Sequence, residues 1–496
     1  MAKAKDTYGK ILKSTGIFGG SQVFNILIGV LRTKVVSVLL GPNGLGLMSL
    51  YQSVVDMLRS VSDLGLSFSA VRDISSAHAT NDRSRMAVAL SVFRRLLWFT
   101  SLLGALLCIL FARRISLIAF DDTAHVLPIS LLSLAIFATT LSAGQRAILQ
   151  GVRRIGDMAK ANIWGSLLSF VFSTILFLFF GEKAVIPAIL IIALTMLSVS
   201  AFYTLRLKLP ATSLPWQAVF AKGKSMLQLG FYSMMVGLFA TASAFLLRSL
   251  IRDWSDIDTV GCYQAAWSIS AMSLSAIFSA MAADYYPRLC ELSHDNHAMT
   301  ESVNQQYRIS LLISSLIVML MILMAPLIIR LFYTSKFLPS VSLLQWQMLG
   351  CFLKVMNWPM AYVVLSKGKG LMFMLIETVW YVVYVAAVCF LWPYFGLISA
   401  GYAYLLAHLV YTLLVYLLIR RLCAFRMAGY NIRITLIFSC LIILAFCLTQ
   451  LTLSSGWMYI CSFLLSLLAI VFLLLEFRQI LSWQEIKQAI VKRFKR

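Results

Sequence analysis

Charge is scarce in this chain. Only 12% of its 496 residues are Asp, Glu, Lys or Arg, about half the share of a soluble globular domain. Most of the molecule therefore cannot face water. Acidic side chains are scarcer still, 19 against 42 basic ones. The nine cysteines show no CxxC or metal-like spacing. Cys108, Cys351, Cys440 and Cys447 sit inside apolar runs and read as buried thiols, not disulfides or ligands. No GxxxxGK[ST] phosphate loop occurs, so ATP hydrolysis is not the driving reaction. The basic stretch Met1–Lys13 leads into an apolar run without a small-residue cleavage site, and no cleavable signal peptide is expected.

What is present is apolar. Hydrophobic residues make up 60% of the chain and the mean hydropathy is +0.87. About fourteen segments are long enough to cross a hydrocarbon core of about 30 Å. The expected fold is an all-α polytopic membrane protein. The net charge of +23 raises the question of nucleic acid, but no compact basic module stands apart from the apolar segments. Topology accounts for the charge instead. Of the 42 Lys and Arg, 31 fall in alternate loops and tails on one side, and six on the other: Arg113, Arg114, Lys183, Arg252, Arg330 and Lys336. Both termini are thus expected in the cytoplasm. The outer loops are short, which leaves no room there for a catalytic domain, and the chain is not expected to be an enzyme.

The chain repeats itself. Gly46 and Gly261 are 215 residues apart; Arg72 and Arg288, Arg114 and Arg330, and Leu149 and Leu365 are each 216 apart. Both halves start on the same side, so the repeat is parallel, with a pseudo-two-fold axis expected along the membrane normal. The expected division is a cytoplasmic N-terminus at 1–15, six-helix bundles at 16–210 and 226–422, and a cytoplasmic linker at 211–225. Two additional helices at 431–476 and a basic tail at 477–496 complete it. Two bundles around a central cavity suit alternating access rather than a static pore.

Charges inside apolar segments carry the functional signal, because an ionised group in hydrocarbon is costly and usually faces protein or a wet cavity. Arg32 and Lys34 precede the Gly41-Pro42 break in LRTKVVSVLLGPNGLG. Arg32 is about 13 Å from the break along a helix, deep for snorkelling, and reads as a cavity residue. Lys34 is nearer the end, where snorkelling explains it equally well. Arg248 echoes Arg32 at an offset of 216 and reads the same way. Gln52, Asp56, Arg59 and Asp63 follow steps of four, three and four, which puts them on one helical face. They could pair internally, yet so long a polar stripe should face a cavity, with Arg59 as an anion contact and Asp56 orienting it. Lys354 and Glu377 are isolated charges on neighbouring apolar segments; they could pair, and Glu377 is also the natural carrier of a coupling ion. Arg146 and Asp284 fall near span ends and read as interfacial. His408 reads as structural.

Longer motifs carry a resemblance. LLGPNGLG (Leu39–Gly46), DTVGCYQAAWSIS (Asp258–Ser270), YYPRLCEL (Tyr285–Leu292) and SKFLPSVSLLQWQMLGCFLKV (Ser335–Val355) resemble the Wzx-type polysaccharide flippases. That family lies in the multidrug/oligosaccharidyl-lipid/polysaccharide exporter superfamily, and lipid III flippases and O-antigen translocases are the nearest branches. The resemblance covers about residues 10 to 420; the last two helices depart from the twelve-helix members. It implies translocation of an undecaprenyl-pyrophosphate-linked oligosaccharide (O-antigen, enterobacterial common antigen or capsule-type) across a bacterial inner membrane. It implies no cofactor, no metal and no nucleic acid. Coupling to a proton or sodium ion at Glu377 or Asp63, and glycan polymerase or assembly proteins as partners, are the accompanying expectations. Physically, a diphosphate cannot cross hydrocarbon unpaired, and arginine's planar fork suits phosphate oxygens. The expected substrate contacts are Arg32, Lys34, Asp56, Arg59, Arg248 and Lys354. The alternative from the same superfamily is an ion-coupled multidrug or organic-cation antiporter, which wants an acidic cavity. Cations in or near the spans (Arg32, Lys34, Arg59, Arg248, Lys354) outnumber acids (Asp56, Asp63, Asp284, Glu377) by one.

Overall fold

The computed structural model describes residues 21, 24–79, 82–210, 212–292, 294–451 and 455–480. The expected N-terminal segment 1–15, the start of the first span and the tail past 480 lie outside the described residues, as does the Asp284 side chain. Helices, and no strands, make up the regular structure of the described residues. In order, the helices are α1 (24–39), α2 (Gly41–Asp63), α3 (Leu66–Ala79), α4 (Arg83–Phe120) and α5 (Val126–Gly151). Then come α6 (Ile155–Phe180), α7 (Val185–Leu205), α8 (Trp216–Trp254), α9 (Ile257–Glu291), α10 (Asn296–Leu323) and α11 (Ala325–Phe332). The last five are α12 (Ser340–Ser366), α13 (Gly370–Phe395), α14 (Ser399–Cys423), α15 (Gly429–Gln450) and α16 (Ser455–Ile480).

Among the described residues, nine helical stretches are long and apolar enough to cross a membrane; two of them, 155–205 and 370–423, each hold a pair of helices. Their outward faces stay greasy. Trp98, Leu102, Leu106 and Leu110 on α4, and Phe463, Leu467 and Leu474 on α16, are exposed, as lipid contact requires and water would penalise. This is a multi-span membrane protein.

The residues form two compact units, 1–265 with 329–339 and 266–328 with 340–496. In the first, α2 packs on α4, α5 and α8, and α6 and α7 form a hairpin. Its core joins Leu66, Ile74, Phe93, Leu97, Ile148 and Met226. Packing therefore groups α8 with the helices that precede it in sequence, whereas the sequence repeat counts it with those that follow. In the second unit α12 packs on α10 and α14, α13 on α14, and α15 on α10 and α16. A polar knot fastens α15: Asn431 donates to Asn304 Oδ1 (2.9 Å) and Asn304 donates to the Arg426 carbonyl (3.0 Å).

Turns recur at the offset seen in the sequence. Arg153 and Gly368, 215 apart, both take left-handed φ, 56° and 70°. The next residues, Arg154 and Lys369, donate backbone bonds to Leu149 (2.9 Å) and Val364 (3.2 Å). Gly181 (φ 55°, ψ −132°) and Gly396 (φ 52°, ψ −134°) end α6 and α13 in the same way. Asp82 and Asp295 cap α4 and α10, each accepting from two backbone N–H groups, which satisfies donors that the first helical turn leaves unpaired.

Paired glycines bring helices into backbone contact. A Cβ on Gly46 would lie 2.1 Å from the Ile257 carbonyl oxygen, and one on Gly261 would lie 2.0 Å from that of Pro42. The repeat-related glycines of PNGLG and TVGCY thus let α2 and α9 touch directly. Gly46→Ala should force them apart and cost about 3 kcal/mol, the upper end for overpacking a close-fitted site. A lower unfolding midpoint in detergent is the expected result; an unchanged midpoint would refute the close contact. At the other end of α2, Leu64 (φ 46°) and Gly65 (φ 66°) break the helix. Gly65 abuts Gly230 of α8 so closely that a Cβ would sit 2.0 Å from its carbonyl oxygen.

Candidate functional site

α2 forms because Leu50, Val54 and Leu58 recur every four residues on a face that is buried together with Tyr51, Val55 and Ser62. The opposite face holds the polar stripe, where Gln52, Asp56, Arg59 and Asp63 are half-buried. Gln52 donates its amide to Asp56 Oδ1 (3.0 Å). Ser67, just past the helix break, donates to Asp63 Oδ1 (2.5 Å). Arg59 lies between the two carboxylates in sequence and acts electrostatically on both. Among the described residues its guanidinium makes no hydrogen bond or ion pair with protein.

A second uncommitted arginine lies within its field. Arg146 of α5 feels the charge of Arg59 and is likewise without a protein hydrogen bond or ion pair among the described residues. Two guanidinium groups thus repel each other here, and Asp56 and Asp63 supply negative charge beside Arg59.

Arg248 has taken a partner. Its Nε and Nη2 both donate to Gln264 Oε1 (3.1 and 2.6 Å), and Nη1 donates to the Ala244 carbonyl (2.7 Å). It is buried, and its charge still reaches Asp56. Arg32 reaches α6, donating to Ser169 Oγ (2.7 Å) and to the Ser166 carbonyl (3.4 Å). Ser166 donates in turn to Asn25 Oδ1 (2.8 Å). Arg32 Nε is buried without a partner. The two arginines related by the repeat therefore hold separate partners in this structure.

Lys34 sits on the end of α11. Its ammonium donates to the carbonyls of Arg330 (3.1 Å) and Tyr333, where the helix leaves acceptors unpaired and favours a cation. Lys34→Ala should cost about 1 kcal/mol of stability and leave transport near the native rate. A lower unfolding midpoint with normal transport would bear this out; normal stability with transport lost would place Lys34 on the substrate instead.

Midway along α2, Tyr51 shares a hydrogen bond with His125 Nδ1 (2.6 Å), and His125 stacks on Phe120 at 4.0 Å. This imidazole lies in the α4–α5 loop. Burial holds its pKa below the usual histidine value, opposed by Asp122 and helped by Arg252.

In the second unit, Glu377 of α13 accepts from Tyr411 of α14 (2.5 Å). Lys354 of α12 acts electrostatically on Glu377 and on His408, but no direct ion pair joins it to Glu377 among the described residues. The described residues contain no cluster of three or more His, Cys, Asp or Glu arranged to hold a metal.

The sequence pattern of the family described as "Polysaccharide biosynthesis protein" matches residues 35–342, more than half of the chain. The chain belongs to the polysaccharide biosynthesis protein family. The lipid III flippase of Escherichia coli (strain K12) is 25% identical over 407 residues, covering 81% of this chain and 97% of that protein. The lipid III flippase of Shigella flexneri matches to the same extent. Among solved structures, the lipid II flippase MurJ in an inward closed conformation superposes with a TM-score of 0.70 at 14% identity. That match covers 93% of this chain and 98% of that one. An inward-facing multidrug resistance MATE family transporter of the MOP superfamily gives 0.65 at 17% identity, covering 80% and 95%. These likenesses establish the fold. The family assignment agrees with the resemblance carried by LLGPNGLG and its companion motifs.

For this polysaccharide biosynthesis protein, the stripe on α2 was legible from spacing. Arg146 was not, because its position near a span end suggests an interface; only the fold sets it within the field of Arg59. His408 reads as structural in the sequence because a lone imidazole on an apolar helix carries no signal until its neighbours are known.

Proposed function

We propose that this protein is a flippase that moves a polyprenyl-diphosphate-linked oligosaccharide, of the O-antigen, common-antigen or capsule type, across a bacterial inner membrane. The observation that carries the reading is the Arg59–Arg146 pair, two guanidinium groups on helices of a membrane protein that make no hydrogen bond or ion pair among the described residues. Family membership and the lipid III flippase relatives support it. Phosphate oxygens are the ligand such a pair fits best, through charge-assisted, bidentate hydrogen bonds. Gln52, Asp56 and Gln264 offer hydrogen bonds to sugar hydroxyls, and the prenyl tail stays in lipid. In this reading Arg248 shapes the site through Gln264 and Asp56, and Arg32 ties α1 to α6.

The accompanying topology has fourteen spans, cytoplasmic termini, six-helix bundles at 16–210 and 226–422 and two further helices. The chain alternates between states open to one side and then the other. Glu377 and Asp63 are the carboxylates available to carry a coupling proton or sodium ion. The likeness to MATE transporters and the carboxylates of α2 favour a second reading, an ion-coupled organic-cation antiporter.

Proteoliposomes containing a diphosphate-linked lipid oligosaccharide decide between the two. The flippase reading expects movement of the lipid between leaflets that depends on the protein and no export of organic cations. Cation export without lipid movement would replace it with the antiporter.

A further inference from the structure

His408 lies on α14 with 5% of its surface exposed, and among the described residues both its ring nitrogens lack a hydrogen-bond partner. Aromatic rings enclose it. Tyr404 meets it edge-on at 4.6 Å, Trp380 lies at 5.1 Å and Tyr411 at 6.5 Å. The Trp380 indole N–H is buried and unpartnered as well. Burying one polar ring with neither nitrogen satisfied costs free energy, so packing alone gives no reason for a histidine here. A phenylalanine would fill the same space without that cost.

One charge acts on the ring, and a second lies beyond Tyr411. Lys354 of α12 acts on His408 and also on Glu377 of α13. Glu377 is held by Tyr411, one turn beyond His408 on α14. Among the described residues, Tyr362 of α12 also feels Glu377. Cys351 of α12 contacts the Tyr404 hydroxyl (3.8 Å). Tyr384 of α13 packs on Tyr404, and Tyr381 of α13 acts on Tyr411. Helix α10, which touches α14 more lightly, turns Tyr307 to Thr435 and Arg308 to Glu476. The cluster thus contains one fixed cation, one carboxylate and one neutral base, on three helices of one unit.

The geometry points to a proton-loading site made of Glu377 and His408 and balanced by Lys354, in which the loaded ion is a proton and not sodium. Before loading, Lys354 and Glu377 cancel. Around His408 a metal cation would meet walls of aromatic rings instead of the several oxygens a hard cation needs. A proton needs one lone pair. The Glu377 carboxylate and either imidazole nitrogen supply it, and no bond other than the new N–H or O–H forms. This deepens the transport reading by naming its coupling ion.

Trp380 makes the site observable without any substrate, because an imidazolium beside an indole quenches its fluorescence. In the purified full-length protein, subtracting the emission of Trp380→Phe isolates the signal. Acidification should quench it reversibly, at a midpoint that is the same in sodium and potassium salts of equal ionic strength. His408→Phe should abolish the quench while keeping the ring packing. Glu377→Gln removes a negative neighbour and should move the midpoint to lower pH. Lys354→Met removes a positive one and should move it to higher pH. Absence of a pH-dependent quench in the native protein, or an emission change driven by sodium at fixed pH, overturns the proposal. If the quench titrates as described while the lipid assay fails, the proton site stands and the flippase reading falls.

Discussion

Arg59→Gln is expected to slow flipping of a diphosphate-linked lipid about thirtyfold. The figure follows from losing one charge-assisted contact of about 2 kcal/mol, at about 1.4 kcal/mol per factor of ten. The contact is available because Arg59 is spent on nothing else among the described residues. Asp56 is occupied by Gln52 (3.0 Å) and Asp63 by Ser67 (2.5 Å), so neither carboxylate claims the guanidinium by a direct bond. Arg59→Lys keeps the charge but loses the planar fork, and should fall between native and Gln. Arg146→Gln should slow transport as well. If both arginines grip one diphosphate, the double substitution will cost less than the product of the two single effects, since removing either already loosens the ligand. Initial flipping rates in proteoliposomes, normalised to inserted protein, measure this. A native rate for Arg59→Gln would remove the observation on which the function rests.

The second large effect concerns the helices that lie outside the repeat. Glu476 of α16 is 2% exposed and accepts from Arg308 of α10 (2.7 Å) and from Arg433 of α15. Arg308 also lies 4.9 Å from the Tyr430 ring centroid, and its Nε has no partner. One carboxylate therefore binds three helices at a single point. Glu476→Ala leaves the Arg308 charge buried without compensation, which typically costs 3 kcal/mol or more. About 3 kcal/mol is expected here, because Arg433 is 55% exposed and can turn outward. α15 and α16 should loosen from α10 as a pair. The exposed Arg426 in the connection to α15 should then be cut faster by trypsin, and the unfolding midpoint should fall. Glu476→Gln, which keeps one acceptor oxygen, should be milder. Equal cleavage rates in native and Glu476→Ala protein would mean that apolar packing alone holds these helices.

Several features could be read from the sequence because they depend on neighbours a few residues apart. The stripe Gln52, Asp56, Arg59 and Asp63 shares one face of α2 by helical period alone. The Gly41-Pro42 step starts a new helix because Gly41 takes φ of 67° and Pro42 fits the first turn. The expectation of an apolar, helical, multi-span chain follows from composition. The repeat offset also survives into the backbone, since the turns at Arg153 and Gly368 have the same bonds.

The partners of single charges were decided by the tertiary structure alone. Lys34 lies 299 residues from Tyr333 and Arg32 lies 137 from Ser169, and nothing local marks either carbonyl or hydroxyl as an acceptor. Arg32 and Arg248 look alike in sequence, yet one ties α1 to α6 and the other clasps Gln264. The fold brings Arg146 within the field of Arg59 and encloses His408 with Tyr404, Trp380 and Tyr411. The sequence by itself determined which residues are charged and which helix faces they occupy, because period and hydropathy are properties of the chain. Which of those charges are satisfied and which remain available for a ligand depends on contacts between distant segments, and folding alone sets those.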